Sequence, residues 1–456
     1  MQMKIPKLKS IILVWVGWFS IETLPAQTNV SLGEAIRYAL NNNEVLKQAR
    51  LDIEKGVYQI KETRGTALPQ LTGTSSMTNN LLVQQFVLPA EAFGGEPGQF
   101  IAIKAGQTWS AMSQVQLSQQ LYNKQVFTGL KAAKSTEEFY RLSEQLSREN
   151  VIQQVAANYY QVQISRLQMD VIQANIDRVS KLLEMIEGQY ANGLARKIDV
   201  DRVKVTRSNL DAQKALLENA LTQQENLLKF YMGMPIEQAI ELARLDINTL
   251  PIPDNATILN EGLNVDNLLS YSVLKKQEEL LHFQRDAIVA EGYPTLSLSG
   301  SYTYNTQSNS FNLYSSKALS YDMAAVTLNL RIPIFDGFSR RSRAMQSQIA
   351  IQRLQEDIRR TNNSLKMANE NAKSQLTNSL NTIRMQQANK RLAQEVFENV
   401  QANYKNGLAS LTDLLDAEQS LVEAEKSLNE AMLQYKIGEI ELMKSNGNIT
   451  DLLNEE

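Results

Sequence analysis

The sequence predicts a mainly α-helical chain with a small membrane β-barrel: long antiparallel coiled-coil helical hairpins plus four transmembrane strands per chain. Three observations carry this reading. Only 20 Gly and 10 Pro punctuate 456 residues, so uninterrupted elements run long. Hydrophobic periodicity alternates between two, as in strands, and a mixture of three and four, as in packed helices. A whole pattern also recurs: YANGLARKID, Tyr190 to Asp199, returns as YKNGLASLTD, Tyr404 to Asp413, at an offset of 214 residues that also relates Gly233 to Gly447.

In chain order, Lys4, Lys7 and Lys9 precede an apolar run from Ile11 to Ile21 that ends near LPAQ. Charge order and small-residue exit predict a secretory signal peptide over residues 1–26, so the mature chain works outside the cytoplasm. Two structural repeats follow, 27–260 and 261–456, each a helix, two strands and a long helical hairpin. In the first, strands are expected over about Gln70 to Asn79 and Thr108 to Leu121; in the second, over Thr295 to Asn305 and Met323 to Ile334. Leu296, Leu298 and Tyr302 fall on one side of the third strand, opposite Thr295, Ser297, Ser299, Ser301 and Thr303. Val326, Leu328 and Leu330 alternate likewise with Thr327, Asn329 and Arg331. About ten residues with one apolar face is the pattern of a membrane strand, which assigns Leu296, Leu298, Tyr302, Val326, Leu328 and Leu330 to lipid and the hydroxylated face to water.

The helices are predicted from about Lys124 to Glu187 and from Ser339 to Tyr404, each roughly 100 Å long at about 1.5 Å per residue. Their seams step by three and four through Ile152, Val155, Tyr159 and Val162, and by seven through Leu414, Leu421, Leu428, Tyr435 and Leu442. Each ends at Asn-Gly, which closes a helix readily, so the hairpin tips fall at Gly193 and Gly407. Those glycines with Leu194 and Leu408 are the candidate docking surface for a partner, beside their plain role of reversing the chain. Polar loops around Glu91 to Phe100 and Asn305 to Lys317 join the strands and are expected outside the cell.

Backbone groups in lipid must be paired, so a membrane sheet has to close, and four strands are too few. Several chains must therefore share one barrel: two would give eight strands and three would give twelve, of which only the wider ring leaves a pore.

Composition excludes much else. Cysteine is absent, and His282 is the single histidine, most simply a helical surface or seam residue. No cluster supplies a nucleophile with a base, or metal ligands, so neither enzyme activity nor a cofactor or metal is expected. Lys plus Arg number 46 against 49 Asp plus Glu, which gives no basic field for nucleic acid. Arg340, Arg341 and Arg343 are read either as meeting lipid headgroups or as a solvated helical face.

Taken together, the opening SLGEAIRYALNNNEVLKQAR at Ser31, the strand starts LPQL and YPTL, IPIFDGFSRR at Ile332, the two NGLA tips and LTDLLDAEQSLVEAEKSL at Leu411 resemble the TolC-like outer membrane efflux proteins over essentially the whole mature chain. The resemblance implies a homotrimer whose 12-stranded outer membrane barrel continues into a periplasmic helical tunnel. It implies a duct for tripartite efflux or type I secretion, partnered by a periplasmic adaptor (membrane fusion) protein and an inner membrane pump of RND, ABC or MFS type. It also implies a periplasmic constriction, which falls on Asp413 and Asp416, three apart on one helical face, with Tyr404 at the position of a latch tyrosine. The latch position that carries arginine in relatives is Ala409 here. For Asp413 a second reading stays open, that of an acid stabilised at a helix N-terminus. The competing functions are a non-transporting secreted coiled-coil scaffold or adhesin, and a periplasmic adaptor; the latter pairs one hairpin with β-rich domains that this chain lacks.

Overall fold

A computed structural model describes residues 30–244, 263–313 and 315–454. The expected signal peptide and the boundary drawn between 260 and 261 lie outside the described residues.

A short helix α1, Leu32–Asn42, begins with a capping box in which Ser31 and Glu34 satisfy each other's backbone N–H groups. Asn43 then breaks the path and caps α2, Glu44–Gly65. The first strands follow, β1 Gln70–Asn79 and β4 Trp109–Tyr122, with a smaller hairpin between them, β2 Gln85–Pro89 and β3 Phe100–Lys104. β4 runs almost directly into α3, Lys124–Ala191, which reverses into α4, Lys197–Met232. The second half repeats the order: α5 Leu269–Ala290, β5 Thr295–Ser308, β6 Leu319–Arg331, α6 Ser339–Lys405 and α7 Leu411–Asn446. The expected helical limits agree with the observed ones to within a turn or so. Among the described residues no helix is long and apolar enough to cross a membrane.

The four long strands form one antiparallel sheet in the order β1-β4-β5-β6. The hairpin β2–β3 is a separate sheet, and it corrects one expectation. The stretch Glu91 to Phe100 is not simply a polar loop: it is largely the turn of that hairpin, between strands that expose Phe86, Val87 and Ile103. Five-residue strands with apolar residues on both faces lack the clean alternation by which the long strands announce themselves.

Two apolar clusters hold the helices together. The larger, around Ile36, Leu46, Ile152, Ile164, Leu228, Met232, Leu380 and Ile440, binds α1 and the chain end to both hairpins midway along the molecule. The smaller, around Ile176, Val179, Ile186, Val203, Leu414 and Leu421, lies toward the tips. The heptad residues Leu414, Leu421, Leu428, Tyr435 and Leu442 are all buried, as a helix-packing seam requires.

Candidate functional site

The strand register decides what each face of the sheet is made of. Leu71 pairs Leu117, Leu117 pairs Gly300, and Gly300 pairs Val326, so one apolar row crosses all four strands. The neighbouring rows bring Leu296 opposite Leu330, and Leu298 opposite Leu328. Val326 is 82% exposed and Leu328 and Leu330 are also exposed, at 62% and 61%, whereas Leu296 is half-buried. On β6 this band runs from Leu330 to Ala324, roughly 20 Å of strand, close to the apolar height of about 25 Å that a barrel presents to lipid. Above it the Tyr302 hydroxyl donates to Asp322 at 3.1 Å, so aromatic and polar groups replace aliphatic ones. The opposite face pairs Ser299 with Thr327 and Thr295 with Arg331. Each strand is thus greasy on one side, wet on the other, and in step with its neighbours.

At the far end of the hairpins the two tips are built alike. Gly193 and Gly407 have φ of 72° and 73°, left-handed values natural to glycine. In one tip Leu194 N–H donates to Gln189 O and Gly193 N–H to Tyr190 O; in the other Leu408 donates to Asn403 O and Gly407 to Tyr404 O. Both are Schellman closures, which satisfy the last helical carbonyls. Leu194 and Leu408 stand 80% and 78% exposed, apolar side chains offered to whatever meets the tips.

The acidic residues beyond the second tip divide. Asp413 completes a capping box: its carboxylate accepts from the Ser410 N–H at 2.9 Å and hydroxyl at 2.7 Å, which holds it below the usual carboxylate range. Asp416, one turn on, is exposed. The cap geometry belongs to the N-terminal-charge reading of Asp413, and it leaves that carboxylate exposed at the tip. Tyr404 is half-buried, and burial, then the nearby Asp199, raises its phenol. It lines a cavity of about 250 Å³ with Arg178, Phe397, Leu414 and Glu418.

That cavity contains the interaction that sequence reading missed. Glu418 of α7, 6% exposed at its side chain, accepts from Arg178 Nε of α3 at 3.1 Å, with the guanidinium over the Phe397 ring. Burial raises the Glu418 carboxyl and Arg178 opposes that rise. Nearby, Arg202 of α4 donates to the Thr412 hydroxyl at 2.7 Å, so both contacts tie the first hairpin to the second. A signal existed: at the 214-residue offset Glu418 answers Lys204, a charge reversal inside the repeat. Among the described residues no group of three or more His, Asp or Glu is placed to hold a metal ion.

Comparison with known proteins bears on this arrangement. The family described as outer membrane efflux protein matches residues 35–234 and 277–448. The outer membrane protein TolC of Vibrio cholerae is 22% identical over 335 residues, 72% of this chain and 70% of that protein. Among solved structures, the V. cholerae outer membrane protein VceC superposes with a TM-score of 0.71 at 16% identity, covering 91% of this chain and 96% of that one. CusC gives 0.71 at 17% identity with 92% of each chain covered, and the open state of Neisseria gonorrhoeae MtrE gives 0.67 at 19%, covering 91% and 88%. At these identities the structural likeness is one of fold.

Proposed function

The chain belongs to the outer membrane efflux protein family, and from that premise we propose that three copies, related by the two open edges of the sheet, complete one duct. It is an efflux channel of the outer membrane with a periplasmic extension, in a family of conduits rather than of catalysts. The observation that carries the finer reading is the register: one apolar row unbroken across four strands, ending at β1 and β6, whose outer edges pair with no other strand among the described residues. Open edges in lipid leave polar groups without partners, so β6 of one copy takes β1 of the next. Three copies make twelve strands, wide enough for a pore where eight would be filled by side chains. The helices that continue from β4 and β6 then extend the cylinder into the periplasm, and the 214-residue echo reflects duplication of one repeat.

The partners in this reading are a periplasmic adaptor, docking at Gly193, Leu194, Gly407 and Leu408, and an inner membrane pump of RND, ABC or MFS type. Asp413, Asp416 and Tyr404 form the periplasmic constriction, six carboxylates around one axis that favour cations. The scaffold or adhesin alternative has no use for a lipid-matched face.

Two measurements test this. Purified protein in detergent is expected to run as a trimer that collapses to monomer on heating; a monomer that stays soluble without detergent overturns the barrel. In planar bilayers, D413A/D416A is expected to raise conductance or lower cation preference. Unchanged recordings would remove the constriction while leaving the duct.

A further inference from the structure

The wet face of the sheet does not end neutrally where strands become helices. A cavity of about 430 Å³ opens there, walled by Gln120 of β4, Thr295 of β5 and Arg331 of β6, and closed below by Arg340 and Arg343 from the start of α6. Thr295 pairs directly with Arg331, and Gln120 with Ser297, so all three strand residues belong to the hydroxylated face, opposite Leu296 and Leu330.

The charges inside it are arranged but not cancelled. Arg343 makes a two-pronged bond to Glu291, at 3.1 and 2.5 Å. Arg340 lies 3.7 Å from Asp336, whose carboxylate is already accepting the Arg340 backbone N–H at 3.1 Å. Arg331 has no carboxylate within ion-pair distance among the described residues. Three guanidiniums therefore share two carboxylates. Lys124 adds a fourth cation at the rim, its ammonium 3.6 Å from the ring centre of Tyr293, another wall residue. The first turn of α6 holds no acid, though acids are what the helix dipole would stabilise there, so helix stability does not account for arginine at 340, 341 and 343. Space has been kept for one of them: a Cβ on Gly292 would stand 2.8 Å from the Arg340 guanidinium carbon.

Planar guanidiniums recognise carboxylate and phosphate by paired hydrogen bonds. We propose that this cavity binds anionic groups, carboxylate or phosphate, on solutes passing through the duct. The inference rests on the reading of the hydroxylated face as channel wall. Three copies would then set a basic ring at the base of the barrel, opposite in sign to the acids at the hairpin tips. A phospholipid headgroup shares the same chemistry, but it would arrive on the apolar face, from which the strand wall separates this cavity.

The test uses the purified full chain and inorganic phosphate. In planar bilayers with potassium chloride, added phosphate is expected to reduce current saturably, and in detergent to broaden its own ³¹P resonance. R331Q should weaken both effects about tenfold, the loss of one charge-assisted contact, while R331K should weaken them less, since an ammonium keeps the charge but not the paired hydrogen bonds. G292A, which displaces Arg340, should weaken them too. Conductance with neither block nor broadening overturns the site and leaves the duct standing. Broadening that R331Q abolishes, in a preparation that never conducts, overturns the duct and keeps the site. Retention of phosphatidylglycerol in native mass spectra, lost in R331Q and unaccompanied by phosphate block, would reassign the cluster to lipid and overturn the proposal.

Discussion

The two helical hairpins are nearly the same object in backbone and different objects in charge. Their outgoing helices span 68 and 67 residues and their returning helices 36 each, and both tips close by the same hydrogen bonds. Yet at equivalent positions of the returning helices Arg202 becomes Asp416 and Lys204 becomes Glu418. Shape has been held by glycine geometry while the side chains that choose neighbours have moved apart. The consequence is contact between the copies: Glu418 finds Arg178, where an ammonium such as that of Lys204 would meet repulsion. The difference in charge makes two similar hairpins an interlocked pair.

The sharpest way to break the likeness lies at the other end of the returning helices. Gly233 and Gly447 both close them with left-handed φ, 68° and 81°. A Cβ on Gly233 would stand 2.6 Å from Asn42 O, backbone where α1 turns into α2, whereas on Gly447 it would meet only the end of the Leu268 side chain at 3.3 Å. G447A is expected to cost about 1–2 kcal/mol, the left-handed penalty alone, and G233A roughly 3 kcal/mol or more because backbone must move. Comparing the thermal loss of helical circular dichroism checks both; equal melting would mean that α1 yields easily.

The ion pair between hairpins comes next. R178M leaves a buried carboxylate unpaired and is expected to cost about 3 kcal/mol, the scale of a broken buried pair; E418Q should cost less, because the amide still accepts a hydrogen bond. The pH dependence has two parts of opposite sense. The Glu418 carboxyl is raised by burial, so it takes up its proton more readily folded than unfolded. Its own contribution to stability is therefore full below the unfolded value and lost as pH rises through the folded one. The charge-assisted part of the tie to Arg178 exists only while the carboxylate is ionised, so acidification reduces it to a neutral hydrogen bond and loosens the hairpins at this point, while the Arg202–Thr412 contact and the apolar cluster persist. Tip accessibility to protease should rise with falling pH in the wild type and be insensitive to pH in E418Q.

This pair also marks how far the sequence could be read. Helix limits, tips and the presence of four long strands are legible because each follows from local period or a single glycine, and those signals survive without knowledge of neighbours; the fourth strand, expected over Met323 to Ile334, runs instead over Leu319–Arg331, since Pro333 has no N–H to give a ladder. The apolar row Leu71, Leu117, Gly300, Val326 could be expected strand by strand, but its alignment depends on register, which one strand does not contain. Arg178 and Glu418 lie 240 residues apart, on helices whose other charges are mostly solvated, so nothing local distinguishes them. The hairpin β2–β3 escaped for a different reason: its strands are too short for alternation to emerge. Arg331 was readable as a polar-face residue, but the cavity it shares with Arg340 needed the turn between β6 and α6 to be folded.

The smallest expected difference sits just past the tips, where the returning helices start. α7 begins with the Ser410–Asp413 capping box, while α4 begins at Arg196 with no side-chain cap, and Asp199 there accepts instead from the exposed Arg196 guanidinium at 3.1 Å. Exposed pairs of that kind contribute little, so the first turn of α4 should fray more than that of α7. Hydrogen exchange at residues 411–414 is expected to quicken about fivefold in S410A, the usual scale of a lost cap, and at 197–200 to slow by a similar factor in R196S. The Ser410 hydrogen bonds depress Asp413, so its share of the cap is present above the unfolded carboxylate's value and lost as pH falls through the lower folded one. Exchange in the wild-type α7 turn should therefore accelerate in acid, after correction for intrinsic rates, and that in α4 should change less. If both turns respond alike, the charge at 413 serves something other than the helix start, and the constriction reading gains what the cap loses.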